Sequence, residues 1–143
     1  MKTLNLKFNQ MKTITTAVMC AALLCLFLIG CKKYDEGPGL SFRSKSERVA
    51  NVWKISYAYD IKDTLIVTGD YTGETWEFNK SGGFTERSNG IIDKTGTWNF
   101  ISNKEKITVN LPGDTTTFTI LMLKEKEMWL KDSQEELHLI SAQ

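Results

Sequence analysis

From Trp53 onward, apolar and polar positions alternate in short bursts separated by turn formers. Trp53, Ile55, Tyr57 and Tyr59 alternate with Lys54, Ser56 and Ala58, and period two marks a strand with one apolar face. In ETWEFNKSGGFTER, Trp76 and Phe78 share a face, Asn79 to Gly83 form a turn, and Phe84 opens the returning strand. Ser88-Asn89-Gly90 is a further turn signal. GTWNF places Trp98 and Phe100 together, and Ile107, Val109 and Leu111 follow before Pro112-Gly113-Asp114 ends that strand. Thr115 to Leu123 is rich in β-branched residues, and Glu127 to Lys131 and Glu136 to Ser141 finish the chain. A short helical turn is predicted ahead of the first strand, with Ser46 as N-cap and Arg48 to Val52 following.

About eight short strands with regular turn signals define an all-β chain, a sandwich or a barrel. Sequential hairpins favour up-and-down connections, and closing the sheet removes both edges. A barrel of about eight strands is filled by side chains or holds one small ligand. The aromatic residues at strand spacing are first of all core residues. One segment breaks the short-loop rhythm. Residues 60 to 73 (DIKDTLIVTGDYTG) carry Leu65, Ile66 and Val67 between turn formers. They read either as an extra hairpin strand or as a lid over the barrel mouth.

The first thirty residues have another character. Lys2, Lys7 and Lys12 precede residues 13 to 31, which hold no charge. A basic start, an apolar run and small residues before a cut site describe a secretory signal. The run from Ala17 to Ile29 is short for a membrane-spanning helix. Met11 is an alternative start, since Met11 to Gly30 alone makes a complete signal. Leu28-Ile29-Gly30-Cys31 resembles the lipobox of bacterial lipoproteins. That resemblance implies cleavage after Gly30 and lipid on Cys31, and stable anchoring comes from more than one acyl chain at about 0.8 kcal/mol per buried methylene. Cys20 and Cys25 leave with the signal, so Cys31 is the one cysteine of the mature chain, which rules out a disulfide within it. Three domains result: a signal over residues 1–30, the lipidated cysteine and a flexible tether centred on Gly37-Pro38-Gly39 over 31–47, and the barrel over 48–143.

Removing residues 1 to 30 takes three lysines from the 18 basic residues and leaves 15 against 17 acidic ones, a net charge near −2. A mildly acidic chain argues against nucleic acid as a partner. Asp35 and Glu36, close behind the cysteine, resemble the acidic export signal of surface-exposed Bacteroidetes lipoproteins. The expected location is the cell envelope, lipid-anchored at the outer membrane, with that acidic pair favouring the cell surface.

Catalysis needs titratable groups gathered in one site. The single histidine, His138, lies between Leu137 and Leu139 and faces solvent if the leucines face inward. No metal-ligand spacing occurs, and GDYTGE at 69 to 74 lacks the strand–loop–helix setting of a phosphate loop. The reading is a non-enzyme without cofactor or metal.

The strands WKISY, WEFNKSGGF and GTWNF, with TILML and EMWLKD near the end, make the chain from Arg48 to Ile140 resemble the lipocalin-like domains of Bacteroidetes outer-membrane lipoproteins. The resemblance implies a small eight-stranded antiparallel up-and-down barrel. Two features of the better-known lipocalins are replaced. Asn51 stands where they carry a glycine before the first-strand tryptophan, and no arginine lies near Leu137 to Ile140 to pack over it. The expected function is binding of a small apolar or amphipathic molecule at the barrel mouth by Tyr57, Tyr59, Leu65, Val67 and Trp76. The alternative is a protein-interaction module, an enzyme inhibitor or assembly subunit, with a side-chain-filled barrel.

Overall fold

The computed structural model describes residues 43 to 143. Cys31, the signal expected over residues 1–30 and most of the tether expected over 31–47 lie outside the described residues. The described chain forms one helix and nine strands: α1 (Lys45–Val49), β1 (Val52–Asp60), β2 (Leu65–Ile66), β3 (Glu74–Phe78), β4 (Gly83–Ser88), β5 (Ile91–Ile101), β6 (Lys106–Leu111), β7 (Asp114–Leu123), β8 (Glu127–Lys131) and β9 (Glu135–Ser141). Each strand from β3 to β9 pairs antiparallel with the next in sequence, and β1 pairs with β9 from Trp53↔Ser141 to Asp60↔Glu135. The result is a closed eight-stranded antiparallel up-and-down barrel, with two-residue β2 appended to the mouth end of β1.

The turns follow from their residues. Asn89 and Gly90 join β4 to β5 with φ of 52° and 83°, the pair of positive values that a two-residue hairpin turn requires and that Asn-Gly tolerates best. At the β3–β4 turn the Asn79 Oδ1 accepts from the Gly83 backbone N at 2.8 Å. Gly96 in β5 is set by proximity: a Cβ there would lie 2.1 Å from the Asn110 carbonyl oxygen.

The helix closes one end of the barrel. Its N-cap is Ser44, two residues before the expected Ser46. The reason is a capping box: the Ser44 hydroxyl accepts from the Glu47 backbone N at 3.2 Å, and the Glu47 carboxylate accepts from the Ser44 backbone N at 2.9 Å. Ser46 has Val49 at the matching position and has no such partner to offer. The Trp53 indole donates to the Val49 carbonyl at 2.9 Å, and the buried Arg48 donates to the Leu123 carbonyl at 2.6 Å. An arginine therefore does seal this pole, but from the helix rather than from the last strand.

The core runs up the barrel from Val49, Trp53, Leu123 and Met128 through Phe78, Ile107, Leu130, Leu137 and Leu139. Edge-on aromatic contacts link Phe78 to Phe84 and Trp98 at 5.0 and 5.7 Å. One irregularity changes the sequence pattern. The β1–β9 register shifts between Ile55 and Tyr57, so the inward positions are Trp53, Ile55 and then Ala58, which is fully buried. Tyr57 and Tyr59, expected on the apolar inner face, therefore lie on the outer one.

Between β1 and β3 the sheet is nearly open, with only Val52↔Glu77 and Trp53↔Trp76 in register. Residues 61–73 fill the rest. The Ala58 backbone, turned toward this gap, gives its N–H to the Thr68 hydroxyl and accepts from the Val67 N–H, both at 2.9 Å. The hairpin-strand reading holds at β2, and a 3₁₀ turn over Thr68–Tyr71 then brings Tyr71 to the mouth.

Candidate functional site

Opposite the helix, the mouth end holds a cavity of about 290 Å³. Its composition follows from strand parity. On β3 the inward residues are Glu74, Trp76 and Phe78. Glu86 and Phe84 do the same on β4, Thr116 and Phe118 on β7, and Glu135 and Leu137 on β9. In each case the residue at the mouth end is polar and the deeper ones are apolar. Trp76, Phe84, Phe118, Val109, Leu111 and Leu137 make the apolar part of the cavity lining. Glu74, Glu86, Asp114, Asp132 and Glu135 also line it, with Lys94 the one basic side chain among them. Tyr71 covers the side where β1 and β3 part.

The carboxylates are held in place. Trp76 donates its indole N–H to Glu74 at 2.6 Å, Lys94 donates to Glu86 at 2.8 Å, and the Tyr71 hydroxyl donates to Glu135. Asp132 accepts the backbone N–H groups of Gln134 and Glu135, both at 2.7 Å, which fixes the β8–β9 turn. Desolvation raises the Glu74 carboxyl above its ordinary range, against the lowering effect of the Trp76 bond, and the neighbouring Glu86 adds to the rise. Burial first, then the bond to Glu135, pushes the Tyr71 hydroxyl far up, so Tyr71 keeps its proton as a donor. The Lys94 ammonium is raised chiefly by its hydrogen bond to Glu86.

The five residues named from the strand pattern and the long loop do not all meet here. Trp76 lines the cavity. Val67 packs on the core, as does Tyr71. Leu65 is 59% exposed on β2. Tyr57 lies on the outer surface, 4.9 Å from the His138 ring, which itself stacks on Trp129 at 3.9 Å and 5°. Tyr59 shares that outward parity and pairs with Ile66 and Glu136. Leu137 and Leu139 are buried and His138 faces outward, bonded to Glu136 at 3.0 Å. Sequence reasoning missed the carboxylates. The signal was present: Glu74 shares parity with Trp76, Glu86 with Phe84, and Glu135 with Leu137.

This barrel, closed by a helix at one pole and hollow at the other, is lipocalin-like. Solved structures of other proteins share this fold, among them the following two. A lipocalin-like protein from Bacteroides uniformis ATCC 8492 superposes with a TM-score of 0.54 at 16% identity, over 66% of this chain and 98% of that one. An uncharacterized protein from Bacteroides eggerthii DSM 20697 gives 0.50 at 14% identity, over 64% and 98%. No protein-family model and no curated protein matches the chain.

Proposed function

We propose that the protein is a lipid-anchored, non-catalytic binding protein that takes a small amphipathic molecule into its barrel mouth. The observation that carries this reading is the cavity: an apolar floor of Trp76, Phe84 and Phe118 beneath a ring of polar groups. Ligand pockets have this composition, apolar lining with a few placed polar groups. At about 290 Å³ it lies just below the ~300–1,000 Å³ common for such pockets, which favours a compact ligand over a long acyl chain. Anchoring rests on Leu28 to Cys31, with Cys31 as the lipidated residue at the outer membrane and Asp35-Glu36 directing the chain to the surface.

Native mass spectrometry of the protein purified from its own envelope tests the binding reading. A reproducible added mass supports it, and a bare mass at every charge state refutes it. Cys31→Ser tests the anchor: the variant should move from the membrane to the soluble fraction.

A second reading has its own observation. Leu65, Ile66, Ile91 and Ile92 are 57–74% exposed, all in the mouth-end elements β2 and the start of β5. Exposed apolar groups of this kind suit contact with an envelope protein.

A further inference from the structure

The cavity at the barrel mouth carries more charge than a purely apolar ligand would need, and its size and lining narrow the choice. Five carboxylates and one lysine line it. Glu74 and Glu135 receive neutral donors, the Trp76 indole and the Tyr71 hydroxyl. A neutral donor satisfies an oxygen lone pair without offsetting its charge. An apolar ligand seated on the floor would strip water from these carboxylates and return nothing. An anion would be repelled. An ammonium group would bring N–H donors and the opposite charge together. Beneath the carboxylates lie Trp76, Phe84 and Phe118, with ring centroids 5.8 and 5.9 Å from Trp76. Such faces hold an aromatic body by edge and offset contacts, and they also attract a cation. No three of the carboxylates converge as a metal-binding set among the described residues, so the negative charge is spread around the opening. The volume is about twice the ~150 Å³ cavity that admits benzene.

We propose that the cavity selects a small organic ammonium with a ring-sized apolar body, its head between Glu74 and Glu135 and its ring on Trp76, Phe84 and Phe118. This rests on the binding reading above and names the ligand class for the same site. The carboxylates then act as the selectivity element, and the aromatic floor as the affinity element. A cation beside Glu74 would offset the desolvation that raises its carboxyl.

The test titrates the intact chain by calorimetry with three molecules of one shape: 2-phenylethylamine, 2-phenylethanol and 3-phenylpropionate. The amine should bind about tenfold to a hundredfold tighter than the alcohol, the range of a hydrogen bond to a charged group, and the acid weakest. In Glu74→Gln with Glu135→Gln the ratio of amine to alcohol affinity should fall toward one. Rising salt should weaken the amine alone, a check that needs no variant. Equal binding of amine and alcohol overturns the ammonium assignment and leaves the binding reading standing. No binding of any of the three also overturns it, and the native mass measurement then decides the binding reading separately.

Discussion

Trp53 and Trp76 are paired in register where β1 meets β3, yet they belong to different worlds. Trp53 has no exposed surface and gives its indole proton to a helix carbonyl. Trp76, also buried, gives its proton to a glutamate at the edge of a cavity. Around Trp53 the barrel is filled and capped by α1, and the charged group there, Arg48, reaches a backbone carbonyl. Around Trp76 the side chains stop short and carboxylates take over. The lesson is that one continuous sheet supports both a sealed pole and a hollow one. The distinction lies in which residue types sit at the strand ends, not in the backbone.

Truncating Trp53 to alanine should cost most, about 3–5 kcal/mol by urea denaturation, as for other buried Trp→Ala changes. Trp53→Ala costing no more than the conservative mouth change Trp76→Phe would erase the comparison. Arg48→Met comes next. It keeps an unbranched side chain but leaves the Leu123 carbonyl without its donor, at a cost of about 1–3 kcal/mol. Trp76→Phe keeps the ring and removes the bond to Glu74, so a loss of about 1 kcal/mol is expected, together with a further rise of the Glu74 carboxyl followed by carbon-detected NMR.

The smallest effect is one of pH. With its carboxyl raised in the fold, Glu74 binds more protons folded than unfolded at pH values just above the ordinary glutamate range. Its contribution therefore favours the fold at low pH and is lost as pH rises through the raised value. Glu74→Gln should flatten this term. The melting-temperature difference, variant minus wild type, should grow from acidic to neutral pH, and a difference that is constant with pH would contradict the assignment.

The barrel was legible because its signals are local. Alternation set the strands, and Asn89-Gly90 and Pro112-Gly113 set two of the turns. What failed locally was the β1 bulge: nothing in WKISYAYD announces that Ser56 breaks the count, because Ala58 is small enough to pass for a spacer. The N-cap was misread because Ser44 and Ser46 both qualify until Glu47 is counted as a partner. At the mouth only Trp76 was legible. Acidic residues near strand ends look like turn and surface residues, and their convergence depends on closing β9 onto β1, a pairing between residues some eighty positions apart. Tyr71 was hidden in the long loop, whose direction is set by two bonds to Ala58.

Those two bonds have a kinetic meaning. Where β1 and β3 share two residue pairs, residues 61–73 close the wall without belonging to a continuous ladder. What holds the stretch from Val67 to Tyr71 is a short set of contacts: the two bonds to Ala58, the Tyr71 hydrogen bond to Glu135 and packing of Val67 and Tyr71 on the core. A segment held this way opens at a lower local cost than a strand in a full ladder. In hydrogen exchange, the amides of Ala58 and Val67 should open on a faster clock than those of β6 and β7, and a bound ligand should slow the first pair and leave the second untouched.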